Sequence, residues 1–177
     1  MSPQSGLPQN NRAGDVDVFA VFYMMKKSGM GLDEMARILA CESGLAGISG
    51  VGGDVRDLSV AAAAGNRRAQ LALDVYVYQV RHYLGAFLLE LSGLDILTFS
   101  GGIGENNAQI RSGICNGLEA FGIQLDCSKN KQVCGESRIS ADPSAVEVWV
   151  IPTNEEWIVA RATAELMGCK REQVSAP

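Results

Sequence analysis

The sequence predicts a single α/β layer domain, and two observations carry that prediction. Two short apolar runs, residues 95–100 and 146–151, each end in a turn that opens a helix, at Gly101-Gly102 and at Pro152-Thr153. Ahead of them, residues 15–93 hold apolar positions at helical spacing between start and stop residues. Strand-turn-helix units side by side, with helices to cover them, build a layered α/β fold. The chain has 177 residues, 47% hydrophobic and 20% charged, and so excludes disordered and fibrous classes. A chain of this length buries about two thirds of its unfolded surface and needs no disulfide or metal to fold.

Each element follows from its residues. Residues 1–14 carry Pro3, Gly6, Pro8, Gly14 and side-chain amides, which read as a loop. An opening of this kind resembles a connection between elements and leads us to expect a preceding N-terminal half. Asp15 or Asp17 caps a first helix through Val18, Phe19, Val21, Phe22 and Met25, stopped at Ser28-Gly29. A second helix carries Met35, Ile38 and Leu39 before Ser43-Gly44. Five glycines between positions 44 and 53 predict a packed, tight-turning loop. After Asp54 an alanine-rich helix runs to Gly65, and Asn66 opens the longest helix, which stops at Ser92-Gly93.

Residues 95–100 read as a buried strand feeding a glycine turn. Asn106 with Gln109 suggests a capping box for a helix through Ile110, Ile114, Leu118 and Phe121, ended by Gly122. Short strands are expected at 123–125 and near 138–140, and a clear one at 146–151, broken by Pro152. Thr153 with Glu156 then forms a capping box for the last helix, to Gly168. The chain thus divides into an opening loop (1–14), a helical part (15–93) and a strand-loop-helix part (94–177).

Composition narrows the function classes. Fifteen Lys and Arg against twenty Asp and Glu give a formal charge of −5, and no basic run exceeds a pair, so nucleic acid is an unfavoured partner. Five cysteines, none in a C-x-x-C pair, read as reduced thiols of a cytoplasmic protein. The most apolar windows are short or broken by Glu90 and Asp95, which excludes a membrane span. His82 is the only histidine, so a Ser-His-Asp triad or a multi-histidine metal site lacks material.

In open α/β sheets ligands gather at the carboxyl ends of strands. Two such places occur here. The first is Ser100-Gly101-Gly102-Ile103-Gly104-Glu105-Asn106, where glycines let backbone approach a ligand. It is not a Walker loop, since no Gly-Lys-Ser/Thr follows; nor is it a full dinucleotide fingerprint, since Asn107 stands where the third glycine belongs. Asp126, at the distance of an acidic ribose ligand, keeps a dinucleotide reading open. The second place is Ile151-Pro152-Thr153-Asn154-Glu155-Glu156, where Glu155 is either a carboxylate favoured by the helix dipole or a Mg²⁺ ligand. Gly52-Gly53-Asp54-Val55-Arg56-Asp57 offers a third candidate, with Asp54 as helix cap or as ligand. Arg12, among turn residues, is either solvated or a clamp on carboxylate or phosphate.

The run Leu97-Thr98-Phe99-Ser100-Gly101-Gly102-Ile103-Gly104-Glu105-Asn106 strongly resembles the nucleotide-binding signature of the acetate kinase family. Arg12-Ala13-Gly14-Asp15, Glu42-Ser43-Gly44-Leu45, Ser49-Gly50, Asp54-Val55-Arg56-Asp57, Gly65-Asn66, Lys129-Asn130-Lys131 and Ile151-Pro152-Thr153-Asn154-Glu155-Glu156 follow in family order. The resemblance implies an RNase-H-like, actin-like ATPase domain, a mixed sheet flanked by helices, and the C-terminal half of a two-domain kinase. It implies the reaction of ATP and acetate to ADP and acetyl phosphate, with Mg²⁺ and ATP or ADP as cofactors and a homodimer as assembly. By position, Arg12 matches the catalytic arginine and Glu155 the Mg²⁺-associated glutamate. Asp54, Val55 and Arg56, with Gly101, Gly102, Ile103, Gly104, Glu105 and Asn106, match the nucleotide site. Propionate or butyrate kinase and a non-catalytic nucleotide-binding or dimerisation module are the alternatives. Gln9-Asn10-Asn11 departs from the Met-Gly-Thr of many relatives. The family's N-terminal half, with its second arginine, catalytic aspartate and histidine, has no counterpart in this sequence, and a separate polypeptide could supply it.

Overall fold

The computed structural model describes residues 4–167. Among them the chain order is α1 (Val18–Ser28), α2 (Leu32–Cys41), α3 (Gly44–Ser49), α4 (Val55–Ala63), α5 (Arg67–Glu90), β1 (Ile96–Phe99), α6 (Gly101–Asn106), α7 (Ala108–Cys115), a 3₁₀ turn (Glu119–Phe121), α8 (Cys127–Lys131), β2 (Ser137–Arg138), β3 (Glu147–Val150) and α9 (Glu155–Leu166). The sheet runs β1-β3-β2, with β1 parallel and β2 antiparallel to β3. Its register sets Phe99 opposite Val150, so both strands end at one level and release their loops together. The long α5 packs against α3, α4 and α7. Leu45, Leu58, Ala69, Ala72, Ile123, Ile139 and Val148, all fully buried, join helices and sheet in one core. No described helix is long and apolar enough to cross a membrane.

The long helices form where capping and periodicity predict them. Asp17 accepts from Phe19 N–H and Ala20 N–H at the start of α1, and Gly29, in the left-handed region, ends it. Asp54 and Asn66 cap α4 and α5. Position 82, mid-α5, is exposed, with the His82 ring edge-on to Tyr83.

Elsewhere the fold corrects the sequence reading. The segment expected to be a loop from 44 to 53 contains α3. Its terminal N–H groups are met by the opening loop: Ser43, Leu45 and Ala46 N–H donate to the carbonyls of Asn11, Gln9 and Asn10 at 2.9, 3.0 and 2.9 Å. Gly101-Gly102 is the first turn of α6, not a bare turn. Asn107, rather than Asn106, caps α7, accepting from Ile110 N–H at 3.0 Å. The α7 helix stops at Cys115, and Leu118 and Phe121 belong to the separate 3₁₀ turn region that Gly122 ends. The strand expected at 123–125 reduces to a single bridge, Leu125 to Ser140. The unforeseen α8 starts at Asp126, whose carboxylate accepts from Ser128 and Lys129 N–H. The β1 strand, expected to be buried, lies at the sheet edge with only Phe99 buried. Thr153 and Glu156 form no capping box, because Asn154 is the N-cap of α9 and accepts from Trp157 N–H. The predicted stop at Gly168 lies outside the described residues.

Candidate functional site

A cleft of about 560 Å³ opens where the α4 start meets α6 and the opening loop, lined by Asn10, Asp54, Val55, Arg56, Gly102, Ile103, Asn106 and Asn107. Two segments separated by more than forty residues in sequence therefore converge on one concave surface. Of the residues singled out from sequence, Asp54, Val55, Arg56, Gly102, Ile103 and Asn106 line it. Two further grooves of similar volume lie along α5.

On the first wall, Asp54 serves twice. As cap of α4 its Oδ1 accepts from Arg56 N–H at 2.8 Å. The Arg56 guanidinium also donates to it, Nε to Oδ1 at 3.1 Å and Nη2 to Oδ2 at 2.6 Å. These contacts to Arg56 hold the Asp54 carboxyl at about 2, well below its ordinary value. The result is an exposed, planar guanidinium paired with Asp54 at the cleft, a surface suited to stack on a flat ring or to meet an anion. Gly53 presses against the opening loop: a Cβ there would come within 2.2 Å of the Asn10 carbonyl oxygen. Asn10 reaches the cleft because that close approach is available only to glycine.

The opposite wall is α6. A Cβ at Gly102 would meet nothing within 4 Å, so this glycine borders open space. Gly101, with a φ of +71°, and Gly104, which packs on Phe99, do not line the cleft. Glu105 does not line it either. Its Oε1 accepts from Gly101 N–H at 2.8 Å, from Thr153 N–H at 2.8 Å and from Thr153 Oγ1 at 3.1 Å. The bond from Thr153 N–H chiefly draws the Glu105 carboxyl below its ordinary range. At the far end of α6, the Gly104 and Glu105 carbonyls accept from Arg111 Nη1, both at 2.8 Å.

Arg111 is 2% exposed and is the largest fully buried side chain described. Its Nε and Nη2 donate to Asn130 Oδ1 and to the Asn130 carbonyl, each at 2.7 Å. Burial draws its pKa below the usual arginine value. Sequence gave no signal for it, because an arginine in an amphipathic helix reads as solvated. Asn10 and Asn107 were also missed as cleft residues.

Arg12 does not line the cleft. It sits half-buried in the opening loop, two positions from Asn10. That loop is pinned by Ala13 N–H to the Leu39 carbonyl at 2.9 Å, by Gly6 N–H to Asp15 Oδ1 at 2.8 Å, and by Tyr83 OH to Asp15 Oδ2. The Tyr83 hydroxyl is the main cause of a lowered Asp15 pKa. Glu155 opens α9, and its side chain lies outside the described residues. Asp126, spent on capping α8, gives the dinucleotide reading no acidic ribose ligand. No group of three or more His, Cys, Asp or Glu side chains able to hold a metal occurs among the described residues.

A family model described as the acetokinase family matches residues 1–161. The acetate kinase of Dictyoglomus turgidum is 48% identical over 169 residues, covering 96% of this chain and 42% of that protein. The solved acetate kinase of Porphyromonas gingivalis superposes with a TM-score of 0.86 at 36% identity, covering 94% of this chain and 42% of its own. A propionate kinase from Francisella tularensis gives 0.82 at 34% identity, covering 90% of this chain and 40% of its own. The helix-rich domain with a small mixed sheet therefore has the fold expected of an actin-like ATPase domain. The chain spans about two fifths of the length of the relatives it matches.

Proposed function

This chain belongs to the acetokinase family, and from that premise we propose that it is the C-terminal, nucleotide-binding half of an acetate-kinase-type phosphotransferase. The reaction would be ATP plus acetate to ADP plus acetyl phosphate. The observation that carries the proposal is the cleft itself: Asp54, Val55 and Arg56 face Gly102, Ile103 and Asn106 across a volume suited to a nucleoside. Apolar Val55 and Ile103 would flank the base. The Arg56 guanidinium, oriented by its two contacts to Asp54, would present its planar face. The exposed backbone at Gly102 would allow close approach of the ribose and phosphates.

Phosphoryl transfer asks for positioned positive charge rather than covalent chemistry. Arg12, in the pinned loop beside Asn10, would stabilise charge on the transferring phosphoryl group. Mg²⁺ is commonly held by one or two carboxylates together with substrate phosphates. Glu155 would supply the protein carboxylate. Bound there, the ion would neutralise phosphate charge. The other half of the clamp, and the acyl pocket, would come from an N-terminal half; the assembled protein would be a cytoplasmic homodimer. Propionate as acceptor is the second reading, favoured by the propionate kinase neighbour.

Calorimetric titration of the chain with ADP, with and without Mg²⁺, tests the reading. ADP binding that tightens with Mg²⁺, and loses that gain in Glu155→Ala while the fold is kept, is the expected result. Absence of ADP binding would remove the nucleotide site; an unchanged Mg²⁺ effect would return Glu155 to a helix-dipole role.

A further inference from the structure

The Gly-rich turn and the loop before α9 leave the parallel strands β1 and β3 at the same level, and they are stitched together. Ile151 N–H donates to the Phe99 carbonyl at 2.9 Å, continuing the ladder beyond the strands. Ser100 Oγ donates to the Ile151 carbonyl at 2.8 Å. The third link is Glu105, whose single oxygen Oε1 gathers Gly101 N–H, Thr153 N–H and Thr153 Oγ1. Gly101 precedes the cleft residue Gly102, and Thr153 lies two positions before Glu155.

We propose that Glu105 is a positioning residue that fastens the nucleotide-facing turn to the loop carrying Glu155, so that the nucleotide and cation sides of the site are set as one unit. The inference rests on the functional reading above and deepens it, because it gives a residue of the Gly-rich motif a task other than touching nucleotide. Three features support that division of labour. The carboxylate joins the first turn of α6, which follows β1, to the loop that follows β3. Its acceptor oxygen is already filled by three internal donors. Hydrogen bonds to an ionised acceptor are stronger than neutral ones, so the bridge can hold the junction between the start of α6 and the exposed loop before α9. Without it, Gly101 N–H and Thr153 N–H lose their shared partner, and the two segments stay joined only through the Ile151–Phe99 and Ser100–Ile151 hydrogen bonds, a looser coupling of Gly102 to the loop that carries Glu155. Coupling of that kind appears as a loss of Mg²⁺-dependent affinity with nucleotide affinity alone preserved.

The test uses the whole chain as Glu105→Ala and Glu105→Gln. ADP affinity is measured by calorimetry in a chelator and in excess Mg²⁺, and amide exchange at Gly101 and Thr153 is followed by NMR. In Glu105→Ala, affinity in the chelator should stay within about twofold of wild type, while the gain from Mg²⁺ falls about tenfold. Protection at Gly101 and Thr153 should drop together, with α7 amides unchanged. Glu105→Gln, whose amide oxygen still accepts, should recover most of both. Equal losses with and without Mg²⁺ that Gln does not rescue would make Glu105 a nucleotide ligand or a general stability residue and overturn the proposal. Unchanged exchange at Thr153 would overturn the latch directly. If wild type binds no ADP, the nucleotide reading and the coupling both fall, while the exchange arm still decides whether the two loops are joined through Glu105.

Discussion

Gly53, next to the cleft residue Asp54, and Gly102, on the opposite wall, are glycines for opposite reasons. At Gly53 the space is taken: an added Cβ would lie 2.2 Å from the Asn10 carbonyl oxygen and 2.6 Å from its carbon, and that oxygen also accepts from Ala46 N–H. At Gly102 the space is open. Gly53→Ala should therefore cost stability, about 1–3 kcal/mol as overpacking against backbone that cannot retreat alone. Gly102→Val should leave the melting temperature close to wild type yet weaken ADP tenfold or more by filling the cleft. Denaturation curves and calorimetry on the two variants separate these outcomes, and normal ADP affinity in Gly102→Val would remove that residue from the site. The Asp54–Arg56 pair has its own signature in pH. Because folding lowers the Asp54 pKa to about 2, its contribution is complete above the ordinary carboxylate range and fades as pH falls from about 4 toward 2. Asp54→Asn should flatten that part of the acid limb in urea midpoints taken between pH 5 and pH 2.5. An identical acid limb in wild type and variant would mean the pair is not formed in solution.

The elements that sequence reading found are those stabilised by their own residues, and those it missed are held by others. Helices α1, α4 and α5 carry apolar periodicity and a capping side chain within the segment, so they are legible locally. The three short helices α3, α6 and α8 have 6, 6 and 5 residues. Isolated helices of that length do not persist in water. Their ends lean on residues outside the helix: α3 on carbonyls of residues 9–11, the end of α6 on Arg111, and α8, capped at its start by its own Asp126, on the contacts that Arg111 makes with Asn130. Nothing in the local pattern of 44–49 or 101–106 encodes those partners, and the glycines read as loop. The departure at Gln9-Asn10-Asn11 is tolerated for the same reason, since α3 uses their main-chain carbonyls rather than their side chains. Arg111 is the clearest test at this scale. Arg111→Met keeps length but strands the Gly104, Glu105 and Asn130 acceptors, and at about 1–3 kcal/mol per buried unsatisfied group the variant should lose about 3 kcal/mol or more. Arg111→Lys should restore only part, because an ammonium cannot reproduce the fork. A loss below about 1 kcal/mol in chemical denaturation would show that α6 and α8 do not depend on it.

At the scale of the whole molecule, many large apolar side chains of the described residues stand exposed. Phe19 is 77% exposed on α1, Ile96 52% on the edge strand β1, and Leu166 89% on α9. Residues 95–100 read as a buried strand because their composition is that of one, yet within this chain β1 pairs on one side only. The same division holds for the site: sequence located both cleft walls, because each motif sits where a strand or loop hands over to a helix, but Arg12 lies off the cleft. The relatives are more than twice as long as this chain, so a further half is available to cover such residues. A separately made N-terminal half of an acetate kinase relative should therefore raise the melting temperature of this chain on mixing. Clamp residues for phosphoryl transfer act as a unit, so removing one set removes nearly all the rate rather than a share of it. Acetyl phosphate formation from ATP, acetate and Mg²⁺ should accordingly stay at background for either piece and appear only in the mixture. Turnover by this chain alone would refute the half-site reading. A thermal shift without turnover would leave docking but assign the chain to nucleotide binding or dimerisation, because the partner face would then be real while the shared transition-state clamp was not.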